Sequence, residues 1–266
     1  IGGVHLNGRR VRSCLRAVKI GDQVELYQDH LTLEPFRLTS DEILYRDKYL
    51  IVLNKPAGID TQPTHARYKG TVYEALQVLL HDPFRPQQKP ELGMVQRLDR
   101  GTTGLMVFST HQKSHRGLTK IFMAHQAEKR YLALVENSPE KSSAEIRSFL
   151  ARSRKENKVV SVLHGGKEAI TRYSVRNQFS QASLIALELL TGRSHQIRAH
   201  MAESGCPLLG DTRYGGLLEF DGIKLERPML HAVSLAFPHP VSGEALSFEL
   251  PMPQDMQSVI EYLKTQ

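Results

Sequence analysis

Between residues 96 and 104 the chain reads Gln96-Arg97-Leu98-Asp99-Arg100-Gly101-Thr102-Thr103-Gly104. One carboxylate stands between two guanidinium groups, on a segment closed by two glycines and two threonines and followed at once by the apolar run Leu105-Met106-Val107-Phe108. Glycines let a backbone turn tightly and let a ligand come close. An acid on such a loop, joined rigidly to the core, is where a catalytic group is expected. The same residues also suit a plain Asx turn, with Asp99 bonded only to its own backbone, and composition alone favours that simpler reading.

A second segment, Thr191-Gly192-Arg193-Ser194-His195-Gln196-Ile197-Arg198-Ala199-His200, reads as the end of a strand, a tight turn and a helix opening at Ser194, a good N-cap. Arg198 falls in the first turns of that helix, where an exposed cation gains nothing from the helix dipole. A carboxylate partner explains it better, and its planar fork would suit a two-point contact with Asp99. A surface arginine is the even alternative.

Elements that could hold these groups follow from periodicity. Val4-His5-Leu6-Asn7-Gly8-Arg9-Arg10-Val11 is two short alternating runs about an Asn-Gly turn, a hairpin signal, and Ile20–Leu26 adds a turn and a strand. Arg9, Arg10, Arg12, Arg16 and Lys19 gather here, as an RNA-facing patch or as charges that guard an edge strand. A linker with Pro35 follows. Strands are expected at 43–45, 50–53, 105–108, 131–135, 169–177, 183–191, 233–237 and 245–250. Helices are expected at 70–81, 111–127, 194–204 (ending at Gly205) and 255–264, with an exposed loop at 82–93. Arg147, Arg152, Arg154, Lys155 and Lys158 stand between strand-like runs. Strands and helices mix without regular alternation, which argues for an α+β fold.

The chain has 266 residues, 40% hydrophobic and 24% charged, which is ordinary for a globular protein with a normal core. The formal net charge is +7, which suits a polyanion, nucleic acid first. Two cysteines far apart, Cys14 and Cys206, form no disulfide framework and point to a reducing compartment, the cytoplasm. No apolar run approaches the roughly 18 residues of a membrane span, so no membrane partner is expected. Ile1 in place of methionine, with no signal-peptide pattern after it, reads as the start of a portion of a longer chain.

Taken in order, these segments resemble the RluA-type family of pseudouridine synthases, over roughly Ile43 to Pro251. Members carry a His-Arg-Leu-Asp-x-x-Thr-Ser-Gly loop, matched by Gln96 to Gly104, and a Lys-x-Tyr-x-Ala-x-Val strand, matched by Lys129 to Val135. The Thr-Gly-Arg-Thr-His-Gln-Ile-Arg element matches Thr191 to Arg198 and continues into a Gly-x-Pro-x-x-Gly-Asp-x-x-Tyr-Gly stretch at Gly205 to Gly215. Asn54-Lys55-Pro56-Ala57-Gly58, Leu230-His231-Ala232 and Phe237-Pro238-His239-Pro240 fit the remaining landmarks. Gln96 stands where the family has His, and Thr103 and Ser194 are Ser/Thr exchanges. The N-terminal unit is similar to the second half of an S-four-like RNA-binding module, whose helical first half is missing here.

The resemblance implies a mixed, mostly antiparallel sheet with flanking helices and a central active-site cleft. It implies a partial S-four-like module and linker at 1–38 and a catalytic domain at 39–266. The reaction would isomerise uridine to pseudouridine in structured RNA, ribosomal before transfer RNA, with no cofactor and no metal, by a monomer. Asp99 would attack ribose C1′ or take a proton from C2′, Arg198 would favour its ionised form, and Tyr131 would stack on the extracted uracil and position a proton. Leu98 and Ile197 would wall the pocket. Arg97 would fill the place of the flipped base, and Arg100, Lys55, Arg193, His195, Arg9 and Arg10 would contact RNA, joined by the basic run at 147–158 unless that is a solvated hairpin face.

Two other classes compete. A metal-dependent hydrolase would use some of the 12 histidines, yet His195 and His200 are five apart with no His-Glu-x-x-His pattern, and His195 reads better as a satisfied structural histidine than as a ligand. A non-catalytic RNA-binding protein on the same fold would have lost the Asp, Tyr or Arg, and all three are present.

Overall fold

The computed structural model describes residues 3–11, 13, 15–27, 35–64, 69–153, 155–220 and 222–265. Arg12, Cys14, Arg154 and the first part of the linker expected at 30–40, residues 30–34, lie outside the described residues.

The Asn-Gly signal makes the expected hairpin: β1 (Val4–Leu6) and β2 (Arg9–Val11) pair antiparallel, with φ of 52° at Asn7 and 72° at Gly8. Both angles lie in the left-handed region that the favoured two-residue turn requires. β3 (Val24–Leu26) adds to the other side of β1, and the Asn7 side chain bonds Gln23 and Asp22 to fix the crossing. Arg9 and Arg10 are exposed on β2, an edge strand.

The second sheet begins with β4 (Ile43–Arg46) and β5 (Leu50–Lys55), then helix α1 (Val72–Leu79), β6 (Gly93–Met94), β7 (Thr103–Ser109) and α2 (Gln112–Met123). It continues with β8 (Glu128–Glu136), β9 (Ser143–Ser153), β10 (Lys158–Ser161), β11 (Lys167–Gln178) and β12 (Ala182–Leu189). Then come α3 (Gln196–Glu203), a short ribbon of β13 (Glu219–Phe220) and β14 (Ile223–Lys224), β15 (Leu230–Pro238), β16 (Ala245–Glu249) and α4 (Gln254–Leu263). The 11-stranded order is β10-β9-β11-β12-β8-β15-β7-β5-β4, with β16 on β15 and β6 on β7. Among the described residues, every pairing in it is antiparallel except β15 with β7. The mixed, mostly antiparallel α+β sheet is as expected.

Alternation along the strands sorts side chains to two faces. Ile51, Leu53, Met106, Phe108, Tyr131, Ala133 and Val135 face α1 and α3, with Leu76, Ile197 and Met201. Leu50, Val52, Leu105 and Val107 pack on the other face with Leu118 and Ile121 of α2, while Leu134 and Leu184 meet Met256, Val259 and Leu263 of α4. Strands covered on both faces read as unbroken apolar runs, which is why 50–53 and 105–108 lack alternation. Phe36 and Leu38, placed in the linker by composition, pack against the α1 face. No helix among the described residues is long and apolar enough to cross a membrane.

The parallel β7–β15 seam is only two residue pairs long, His231 with Thr103 and Ala232 with Gly104. Gly104 has a φ of +113°, and a Cβ there would overlap the backbone of Ala232. Gly104→Ala is therefore expected to destabilise the fold by about 3 kcal/mol, because strained φ and a blocked backbone contact add. A urea midpoint within error of wild type would show that the seam can spread.

Candidate active site

Asp99 sits on the loop that leaves β6 and enters β7, and the loop is pinned on both sides of it. Leu98 donates its N–H to Thr61 Oγ1 (3.2 Å) and accepts back from that hydroxyl (2.7 Å). Arg100 bonds Gly58 twice, main chain to main chain and through Nε, and Arg227 donates to the Gly101 carbonyl. The Asp99 carbonyl accepts from the Thr102 N–H (3.0 Å), which closes a main-chain turn rather than an Asx turn, and the carboxylate is used elsewhere.

Its Oδ2 accepts from Arg198 Nη1 at 2.9 Å, and its Oδ1 lies 3.8 Å from His195 Nε2. Arg198 does not make the expected two-point contact with Asp99. The fork of Arg198 belongs to Asp211, through Nε at 2.6 Å and Nη2 at 2.7 Å, and Asp99 receives the single remaining Nη1. Asp211 is 1% exposed and Arg198 9%, against 27% for Asp99, so the buried pair neutralises the arginine and aims it at a carboxylate that stays open. The guanidinium also lies over the Tyr214 ring, 4.9 Å from its centre. The two carboxylates hold the Arg198 pKa above its ordinary value, against the opposing effect of burial.

The turn before α3 is built by Gln196. Its Oε1 accepts from Thr191 Oγ1 and Arg193 N–H, and its Nε2 donates to Ile170 O and Thr171 Oγ1, all within 3.0 Å. A buried amide satisfied at four points fixes where the helix starts. Ser194 is therefore not the N-cap. His195 holds that position with a φ of 52°, and the Ser194 hydroxyl accepts from Arg97 Nη2 (2.9 Å) instead. His200 bonds Thr171 and Ser148 through its two ring nitrogens, which makes it a satisfied core histidine.

Other expected site residues divide. Arg97, Arg100, Arg193 and His195 line one cleft with Asp99 and Arg198. Lys55 does not. It is fully buried, and its Nζ donates to the carbonyls of Pro56 (2.7 Å), Ile59 (2.8 Å) and Arg100 (3.2 Å), so a phosphate cannot reach it. Burial pushes its pKa down to about 7, against the pull of Asp60 and Asp99. Lys55 braces the loop of Asp99 rather than contacting RNA. Tyr131 is also buried, 6% exposed, packed with Leu98 and Ile197 and not open to a stacking base. Burial and the Asp99 carboxylate raise its phenol pKa well above the ordinary value, so the hydroxyl stays protonated. Leu98 reaches the cleft, whereas Ile197 stays in the core.

The cleft has a volume of about 1070 Å³, at the top of the range for a small-molecule pocket. Its lining carries nine arginines and lysines against four acidic residues, which favours a polyanion. Of the basic run at 147–158, Arg152 and Lys158 reach the cleft, while Arg147 pairs with Glu145 and Glu168 on the outside. Asp211, Tyr214, Thr61 and Arg227 were given no role by sequence reasoning. For the first two the signal was present, because both stand in the quoted Gly205–Gly215 stretch.

Residues 49–203 match the family described as RNA pseudouridylate synthase, and the chain belongs to that family. The ribosomal large subunit pseudouridine synthase D of Zymomonas mobilis is 36% identical over 236 residues, covering 84% of this chain and 72% of that protein. An uncharacterised RNA pseudouridine synthase of Bacillus subtilis is 32% identical over 270 residues, covering 99% and 86%. Within the family the chain is of the RluA type. The human RNA pseudouridylate synthase domain containing 4 shares the fold, with a TM-score of 0.68 at 24% identity over 84% of this chain and 92% of that one. The protein is an RNA pseudouridine synthase.

Proposed function

We propose that this enzyme isomerises uridine in ribosomal RNA, with Asp99 as the carboxylate that acts at the ribose. The observation that carries it is a partly open carboxylate at a basic cleft, bonded to a buried arginine that a second carboxylate already orients. Ribosomal RNA is favoured over transfer RNA by the names of relatives such as those of Zymomonas mobilis and Vibrio parahaemolyticus. The reaction breaks the bond from ribose C1′ to uracil N1, turns the ring and rejoins it through C5. The C5 proton leaves and N1 gains one, so no oxidant, reductant or group donor is needed. Asp99 either attacks C1′ or removes the C2′ proton, and both routes need an ionised carboxylate beside the sugar. Tyr131, kept neutral by burial and by the Asp99 carboxylate, is not a base in this reading. The reading extends to a monomer working in the cytoplasm, with the N-terminal sheet, through Arg9 and Arg10, adding phosphate contacts in the manner of an S-four-like module. Tritium release from carbon-5-labelled uridine tests it, using ribosomal and transfer RNA in parallel. Release from transfer RNA alone would overturn the substrate, and release from neither would overturn the activity.

Arg97 is exposed and two residues from Asp99, with buried Leu98 between them. Its guanidinium can stack in the gap left by a flipped base. Arg97→Ala is expected to slow turnover more on a paired target uridine than on one in an open loop, where little stacking must be replaced. Single-turnover rates on two RNAs differing only in that pairing decide it, and equal losses would reduce Arg97 to a support for Ser194.

A further inference from the structure

Tyr214 sits in the 3-10 turn that follows Asp211, buried, and its hydroxyl touches two groups at once. The Val159 N–H, from β10, donates to the phenol oxygen at 2.8 Å, and His195 Nδ1 lies 3.0 Å from the same oxygen. The oxygen is thus occupied as an acceptor, and its own O–H finds an acceptor in Nδ1. A buried hydroxyl hydrogen left without one would be costly. An imidazole that accepts at Nδ1 carries its proton on Nε2 when neutral. Burial lowers the His195 pKa, with Arg198 and Arg213 acting in the same direction and Asp99 and Asp211 against it, so the ring is held neutral.

The Nε2–H then faces Asp99 Oδ1 across 3.8 Å, too far for a direct hydrogen bond. Both side chains are partly exposed at the cleft, 20% and 27%. The other oxygen of Asp99 is already held by Arg198. A donor and an acceptor thereby stand one hydroxyl apart, since an oxygen between them can lie about 2.8 Å from each.

We propose that His195 Nε2–H and Asp99 Oδ1 together receive the 2′-hydroxyl of the target ribose, and that Tyr214 is the positioning residue that holds His195 in the donor tautomer. The inference rests on the reading that the cleft takes the ribose of the target uridine. A 2′-hydroxyl is both donor and acceptor, and it is the group by which a site tells RNA from DNA. It is also attached to the carbon next to C1′, where the Asp99 carboxylate has its task. The left-handed backbone of His195, uncommon for a residue other than glycine, sets the point from which the ring enters the cleft.

The test compares two RNAs identical except for ribose or 2′-deoxyribose at the target uridine, with wild type, His195→Ala and Tyr214→Phe. Kd and single-turnover rate are measured for each, and where deoxy turnover is too slow to follow, the ratio is read from Kd. Wild type is expected to favour the ribose form by on the order of tenfold, the value of a hydrogen bond whose loss leaves a partner unpaired. His195→Ala is expected to lower that ratio to about threefold, the share that Asp99 Oδ1 still holds. Tyr214→Phe keeps the ring over Arg198 and is expected to lower the ratio part of the way, while heteronuclear NMR of the His195 ring nitrogens shows a single Nε2–H tautomer becoming a mixture. A wild-type ratio near one, or an unchanged ratio in His195→Ala, overturns the assignment of the 2′-hydroxyl while leaving the isomerase intact. An Nδ1–H tautomer in wild type, or no tautomer change in Tyr214→Phe, overturns the role of Tyr214. Absence of pseudouridine from wild type on the ribose RNA would count against the underlying reading instead.

Discussion

Asp99→Asn is expected to fold, to bind RNA and to form no detectable pseudouridine, a loss beyond roughly ten-thousandfold. The amide keeps the shape of the carboxylate and an oxygen for Arg198 Nη1, but it is neither a base nor a nucleophile. Stability should move by less than about 1 kcal/mol, because the lost charge is partly exposed and Arg198 retains its two bonds to Asp211. Asp99→Glu keeps the charge and adds a methylene, which displaces the oxygens by about an ångström on a loop pinned at Leu98, Arg100 and Gly101. A displacement of that size costs on the order of a hundredfold. Tritium release, RNA affinity and a thermal midpoint for each variant separate chemistry from folding. Substantial turnover by the asparagine variant would remove Asp99 from the mechanism.

Arg198 and Asp211 form the second large effect, and it falls on stability and activity together. Arg198→Ala leaves the Asp211 carboxylate, 1% exposed, without its fork, and breaking a buried pair in this way costs about 3–5 kcal/mol. Arg198→Lys keeps the charge but cannot bond Asp211 at two points while also reaching Asp99, so at least a hundredfold loss of turnover is expected, roughly that of an ångström-scale misplacement. Asp211→Asn is the sharper test. It keeps the size of the partner, yet frees the guanidinium to move toward Asp99, the remaining carboxylate it touches. Turnover should fall although no group at the ribose has changed. Wild-type rates in both the lysine and asparagine variants would mean that the aim of Arg198 does not matter.

Much of the fold could be read from sequence because its signals were local. The Asn7-Gly8 turn, the apolar runs of β5 and β7 and the amphipathic α2 each follow from neighbouring residues. Errors at helix ends came from competition between side chains. Thr71 caps α1 and delays its start, and Gln196, bonded to β11, starts α3 after His195 while Ser194 turns to Arg97. The site was legible where a motif carried it, as at Asp99 and Arg198, but partners were not. Nothing in the order of residues says that a fork 13 positions from Asp211 and 99 from Asp99 prefers the former. Lys55 misled for a related reason, since a lysine beside a Pro-Ala-Gly turn looks exposed until three backbone carbonyls close around it.

The short β7–β15 seam also bears on how the molecule assembles. Residues 43–109 supply β4 to β7 and residues 128–249 supply β8 to β16, so each half of the large sheet comes from one continuous stretch. Among the described residues, the two seam pairs are the strand pairing that joins them. Around them Thr103 bonds His231 (2.8 Å), and Arg227, clamped to Asp255, reaches across to Gly101. Contacts between distant stretches must overcome loop-closure entropy that local hairpins avoid. Asp99 belongs to the first half and Arg198 to the second, so neither half alone holds a complete site. During refolding, turnover is expected to return only once the seam has paired and brought Asp99 to Arg198. The recovery of activity is thereby expected to report the meeting of the two stretches, and to come no earlier than the far-ultraviolet circular dichroism signal.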